Sequence, residues 1–347
     1  MSTEPAELRW LVLGASGFVG SAIVEELMQR GATVVSMAAP RLRSAALSGS
    51  APQSAQLAQS PQSAQLSQPE QQIVAEAEAD AAGSAIVECR EALRTAFAGF
   101  DVVVNAAGLA TPGDGESQEL TGANALLPTV AALAAKDAGV RRFVHLSSAS
   151  VQGHRRVIDE SADRAPFSAY SRSKALGEQA LELVASQLAP LSLVTVRATS
   201  VQGPSRPTTQ SLIKVASSPI ASVAAPGTYA TPVSSIDALA WFVVETGQYA
   251  EQVPAVILQP WEGLSVSDVL AAAGGRVPRR LPQFLCRWIL SAGYFSSRLL
   301  GEKLHGPLRR VELMWFGQEQ TPGWAASVGL IPHSSIATLL ERAREQK

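Results

Sequence analysis

Two cysteines in 347 residues, Cys89 and Cys286, are too few for a disulfide framework or a cysteine-built metal centre. A reducing, cytoplasmic setting is the expectation. The four histidines, His145, His154, His305 and His333, show no ligand spacing, so no metal is expected, and His145 reads as a satisfied core residue inside a strand. Neither charge is in excess: 28 basic against 30 acidic residues give −2, which excludes the overall basic footprint of a nucleic-acid binder. The first residues lack the basic start and apolar stretch of a signal peptide. No apolar run reaches the roughly 20 residues that span a bilayer. The most membrane-like stretch, 284–300, is broken by Arg287 and Arg298 and reads as an amphipathic helix packed on the body of the protein, with interfacial membrane contact as the lesser reading. No nucleophile–histidine–acid arrangement supports a hydrolase.

What the chain does have is 46% hydrophobic residues, enough to bury a sizeable core. Short apolar runs alternate with helical patterns. Strands are expected at 9–13, 32–37, 101–105, 142–146 and 191–197, and helices at 21–30, 124–138 and 169–187. That alternation predicts an α/β fold with a Rossmann-type doubly wound parallel sheet. The nucleotide-binding domain is expected over 1–200. The Pro- and Ser-rich 201–347 is expected to form mainly a smaller C-terminal substrate lobe, with some segments returning to the first domain. Within 44–84, APQSAQL at 51–57 recurs as SPQSAQL at 60–66. This composition predicts a mobile low-complexity insertion, with a short partner-binding helix as the alternative.

The first strand runs into Gly14-Ala15-Ser16-Gly17-Phe18-Val19-Gly20 and then a helix. Gly14 permits a tight turn, Gly17 lets backbone approach a pyrophosphate, and Gly20 lets the helix lie close on the strand. The free N–H groups of the helix start, around Ser16, Phe18 and Val19, then face the anion. Farther on, Tyr170 and Lys174 stand four apart, on one face of a helix. A phenol is a poor base at neutral pH; a neighbouring ammonium favours phenolate, and a shift of about 3 units corresponds to roughly 4 kcal/mol. Ser148 lies 22 residues before Tyr170, at the end of a buried strand.

The glycine spacing resembles that of extended short-chain dehydrogenases/reductases, the NAD-dependent epimerase/dehydratase family. So do Asn105-Ala106-Ala107-Gly108, the strand Arg142–Ser148, the helix start Ala169–Lys174, and the closing segment from Gly323-Trp324 to Pro332. The resemblance implies that Ser148, rather than its neighbour Ser147, holds the reacting oxygen, that Tyr170 transfers the proton, and that Lys174 also binds the nicotinamide ribose. Ala106, Ala107 and Gly108 would lie beneath the cofactor. Asn124 matches an asparagine under the site whose role is functional or structural. A homodimer built through helices flanking the site is implied as well.

The second strand ends Met37-Ala38-Ala39-Pro40-Arg41-Leu42-Arg43, with no carboxylate for the ribose hydroxyls. NADP(H) is therefore favoured over NAD(H), with Arg41 or Arg43 on the extra phosphate. Ser148-Ala149-Ser150 replaces the Thr-Asp-Glu of the dehydratase branch, which argues against dehydration. Ser200 and the arginine-free stretch 228–235 depart from the nucleotide-sugar epimerases, although Arg206, Arg279 or Arg280 can supply the missing charge. The expected function is thus reduction or oxidation of a carbonyl/alcohol pair on a small molecule such as a keto-sugar. A nucleotide-sugar epimerase and a non-catalytic NADP-binding sensor or scaffold are the alternatives.

Overall fold

The computed structural model describes residues 8–46, 68–80, 83–110, 115–299 and 304–346. The first half runs β1 (Arg9–Leu13), α1 (Phe18–Gln29), β2 (Thr33–Met37), α2 (Pro69–Glu78), α3 (Ala85–Phe97), β3 (Val102–Asn105), α4 (Gln118–Thr121), a π-helical turn (Gly122–Leu126), α5 (Leu127–Asp137) and β4 (Arg142–Ser148). It continues with β5 (Val157–Ile158), α6 (Ala169–Val184), β6 (Ser192–Ala198), β7 (Ser200–Gln202), α7 (Pro207–Ala216), β8 (Ser222–Ala224), β9 (Val233–Ser235) and α8 (Ile236–Gln248). The last part is β10 (Val256–Leu258), α9 (Val266–Gly274), β11 (Arg279–Leu281), α10 (Gln283–Leu299), α11 (His305–Phe316), β12 (Glu319–Gln320), α12 (Trp324–Ser327) and α13 (Ile336–Glu345).

Six strands form one parallel sheet in the order β10-β6-β4-β3-β1-β2, flanked by helices as a Rossmann-type α/β fold requires. Central strands of such a sheet are covered on both faces and read as continuous apolar runs. β3 is buried at every residue, and β1 at all but Arg9. The order reverses at β1: β2 pairs on one side of it and β3 on the other. The crevice outside the carboxyl ends of β1 and β3 is where an open α/β sheet binds ligands.

The chain divides into two compact units. The first holds residues 1–147, 169–195 and 247–255; the second holds 148–168, 196–246 and 256–347. The returning segment 247–255 is anchored in the first unit by Arg142, whose guanidinium donates to the carbonyls of Gly247, Tyr249 and Glu251. In the second unit, α9 starts on a capping box between Ser265 and Asp268 and stops at Gly275, in the left-handed region at φ +70°.

The expected insertion over 44–84 is narrower than its composition suggests. Its repeat, at 51–57 and 60–66, lies outside the described residues. At its near edge, Ser44 and Ala46 are buried. At its far edge, 69–78 fold as α2, with Pro69 at the helix start and Ile73 and Ala77 fully buried in the core beside α5 and α6. The Ser/Gln-rich composition hides two apolar residues four apart, which is a core-facing pair on a helix. Ile73→Ala is expected to cost about 2–5 kcal/mol in denaturant unfolding. A surface loop at this position would cost nothing.

Candidate nicotinamide and proton-transfer site

The glycines are explained by backbone contacts. Gly14 has φ +81°, and a Cβ there would stand 2.7 Å from the Ala107 nitrogen. The ends of β1 and β3 approach so closely because the Ala106 N–H donates to the Leu13 carbonyl at 2.9 Å. At Gly20 a Cβ would lie 2.2 Å from the Gly14 carbonyl oxygen, so only glycine lets α1 start this close to the strand. Gly17 caps that helix with no side-chain hydrogen bond, and the first turn carries no acidic residue. Ser16 and Gly17 are exposed, with Phe18 and Val19 half-buried. The positive end of the helix dipole thus meets no capping side chain and no acid of its own first turn, the arrangement that suits an anion.

A second cluster in the same unit surrounds Lys174. Its side chain is buried, and its Nζ donates to the Leu146 carbonyl at 2.9 Å. A Cβ on Gly108 would fall 2.8 Å from Asn124 Oδ1 and 3.0 Å from Lys174 Nζ. The glycine therefore brings the β3 loop against both side chains. Asn124 is fully buried, and its amide is saturated. Oδ1 accepts from the Leu109 N–H at 3.0 Å, while Nδ2 donates to the Leu109 carbonyl and to Ser173 Oγ, each at 2.9 Å. Ser173 Oγ in turn donates to the Tyr170 carbonyl at 2.8 Å. Asn124 thus ties the loop after β3 to the first turn of α6, which carries the half-buried Tyr170. It sits in the π-helical turn, a local widening that recurs at functional sites.

Burial lowers the Lys174 pKa to about 8, and the Glu178 carboxylate one helical turn on opposes that shift. Glu178 is itself buried and accepts from Ser147 Oγ at 2.6 Å. Neither Glu178 nor this use of Ser147 was expected from the sequence. The signal was present as Tyr170-x-x-x-Lys174-x-x-x-Glu178, one face of one helix. With Ser147 bound to Glu178 in the first unit, the two serines are differently employed. Ser148, in the second unit, is half-buried, lies 2.9 Å from Ser150 Oγ and caps the 3₁₀ turn at 149–152 by accepting from the Ser150 N–H.

His145 departs from the expectation of a satisfied core histidine. It is fully buried, with Nδ1 3.2 Å from Asn105 Nδ2 and Nε2 lacking a partner among the described residues. Because the amide can only donate, Nδ1 is the acceptor and Nε2 carries the proton. Burial, with the nearby Lys174 charge adding to it, holds the imidazole pKa well below its ordinary value. The ring stays neutral, which keeps a second positive charge away from Lys174.

The arginines assigned to cofactor choice behave unequally. Arg43 forms an exposed ion pair with Glu119 at 2.9 Å, and Arg41 is exposed. In the second unit, Arg206 donates to the Val201 carbonyl, and Arg279 and Arg280 are exposed on β11. The closing segment is held there by Glu160, whose two oxygens accept from the Leu258 and Trp324 N–H groups.

The parallel sheet, the glycine turn at its switch point and the lysine beside it define a Rossmann-type dinucleotide-binding protein. More particularly, residues 10–234 match the NAD dependent epimerase/dehydratase family, and the chain belongs to that family. It is an NAD-dependent enzyme of the extended short-chain dehydrogenase/reductase type. Comparison with curated proteins found no match. Among solved structures, the chain is similar to UDP-glucuronic acid 4-epimerase from Bacillus cereus in complex with NAD, at 18% identity and TM-score 0.59, covering 97% of this chain and 96% of that one. It is similar also to MoeE5 in complex with UDP-glucuronic acid and NAD, at 19% identity, TM-score 0.57 and coverage of 98% and 100%. A third is the Thermus thermophilus UDP-glucose 4-epimerase complex with NAD, at 16% identity, TM-score 0.55 and coverage of 97% and 98%. At these identities the likeness is one of fold.

Proposed function

We propose that the chain transfers hydride between NAD and a secondary alcohol carbon of a small molecule, with Tyr170 as the proton-transfer group and Lys174 as its charge partner. The observation that carries this reading is the lysine: a buried ammonium one helical turn from a half-buried tyrosine and against the glycine loop that follows β3. The residues fit a dinucleotide, since at Gly14 and Gly20 a Cβ would run into backbone, at Gly17 it would be tight, and the first turn of α1 carries no acid to repel a pyrophosphate. When bound, the nicotinamide supplies the hydride acceptor or donor. Lys174 favours the Tyr170 phenolate, which takes the alcohol proton as the carbonyl forms and returns it in reverse. Its remaining donors serve the nicotinamide ribose. Asn124 positions the loop and α6 through its saturated amide.

NAD(H) is the cofactor this reading adopts, in place of NADP(H). Arg43 is engaged with Glu119, and the neighbours crystallised with a nicotinamide cofactor carry NAD. Epimerisation of a nucleotide-linked sugar is the reaction these neighbours favour. In it the oxidised carbon takes the same hydride back on its other face. Net oxidation or reduction of a carbonyl/alcohol pair is the second reading, favoured by the arginine-free stretch 228–235 and by the commitment of Arg206 to Val201. Product analysis on a panel of nucleotide-linked sugars and simple ketones separates them. Two epimers with no net change in reduced nicotinamide support the first; stoichiometric change in its near-ultraviolet absorbance supports the second. Binding of cofactor with no product from any compound would point to a sensor or scaffold.

Glu178 enters this scheme as a positioning residue. Glu178→Gln removes the anion that holds the Lys174 pKa up, so Lys174 loses its charge at lower pH. The alkaline limb of the kcat/KM profile, where Lys174 gives up its charge, is expected to move to lower pH. A purely structural role would lower kcat/KM without moving the limb.

A further inference from the structure

Helix α10 reverses the usual arrangement of a surface helix. Its inner stripe, Cys286, Leu290 and Ser297, is buried, and Tyr294 donates to Glu312 at 2.8 Å. The opposite stripe should be polar. Instead Phe284, Trp288 and Phe295 stand there, 75%, 69% and 66% exposed. At 100° per residue these three fall within about 40° of one another. Leu285 and Ile289 flank the stripe on one side and are also exposed; Arg287 and Arg298 flank it on the other. The preceding strand β11 adds the exposed Arg279 and Arg280. Residues 269–301 contain five arginines and no carboxylate, in a chain whose net charge is −2. No helix among the described residues is long and apolar enough to cross a membrane.

We propose that α10 docks the protein on the surface of an anionic lipid bilayer, lying in the plane of the interface with Phe284, Trp288 and Phe295 among the acyl-chain ends and the arginines at the lipid phosphates. An apolar stripe carrying Trp and Phe, bordered by cations and free of carboxylates, is the chemistry of an interfacial helix. Length does not exclude it, because such a helix does not span. A second copy of this chain docked symmetrically through the same face would set arginines against arginines, a like-charge contact that costs affinity. A lipid surface meets both the apolar stripe and the charge.

The test is co-sedimentation of the full chain with vesicles of equal parts phosphatidylcholine and phosphatidylglycerol, against vesicles of phosphatidylcholine alone. Binding is expected to the first and to be at least about tenfold weaker to the second, and about 1 M salt should release the protein by screening. Phe284→Ser with Trp288→Ser should weaken binding tenfold or more without lowering the melting temperature, since both side chains are exposed. Arg279→Gln with Arg280→Gln, on a different element, should weaken it about fivefold per arginine. The proposal is overturned by absence of binding to the anionic vesicles at low salt, or by binding that both variants leave unchanged. A concentration-dependent dimer that Trp288→Ser converts to monomer would overturn it too, by showing that a second copy covers the face.

Discussion

Tyr170→Phe is expected to lower kcat by about 10²–10⁴-fold while leaving NAD affinity within about twofold, the range general acid–base catalysis supplies. The phenol oxygen is the group this reading assigns to pass the proton, and phenylalanine preserves its volume and its packing. Lys174→Met should differ in kind. Because the ammonium stands beside the Gly108 loop and donates to the Leu146 carbonyl, its loss is expected to weaken cofactor binding as well as turnover. Steady-state kinetics with a parallel cofactor titration reads both effects. A Tyr170→Phe enzyme with unchanged kcat would remove tyrosine from the mechanism.

The second large effect is expected at Gly20. Gly20→Ala puts a methyl carbon 2.2 Å from the Gly14 carbonyl oxygen, a backbone atom that cannot rotate away. The helix must move off the strand, and overpacking of this kind costs about 1–3 kcal/mol or more. The same displacement carries the N–H groups of the first turn away from the pyrophosphate. NAD affinity is expected to fall more than tenfold, at about 1.4 kcal/mol for each factor of ten, together with a lower unfolding midpoint. Gly31→Ala is the control. Gly31 has φ +74° but nothing within 4 Å of its added Cβ. It should therefore lose about 1–2 kcal/mol of stability from backbone strain with NAD affinity unchanged. If Gly20→Ala behaves like Gly31→Ala, the close approach of α1 to β1 is not what the third glycine serves.

The parts of the protein legible in its sequence are those set by local chemistry. Apolar runs located β1 and β3 to within a residue, and the glycine turn marked the switch point because backbone geometry demands glycine there whatever the rest of the chain does. What escaped depends on tertiary context. The Ser/Gln-rich stretch concealed α2, whose Ile73 and Ala77 have meaning only against α5 and α6. Glu178 and Ser147 could not be paired from sequence, because one lies on a helix and the other at a strand end 31 residues earlier. The saturated amide of Asn124 is a property of the folded loop. Arg41 and Arg43 looked alike as phosphate partners, and only Glu119 sets Arg43 apart. The assignment of 148–168 to the second unit and of 247–255 to the first is likewise a matter of tertiary contacts.

Calorimetric titration of the purified full chain with NAD and with NADP tests the central claim most directly. One NAD per chain is predicted, binding more tightly than NADP and at least tenfold more weakly to the Gly20→Ala variant. Absence of heat with either dinucleotide, from protein freed of any co-purified nucleotide, would contradict the assignment of the glycine turn and the Lys174 cluster to a nicotinamide cofactor.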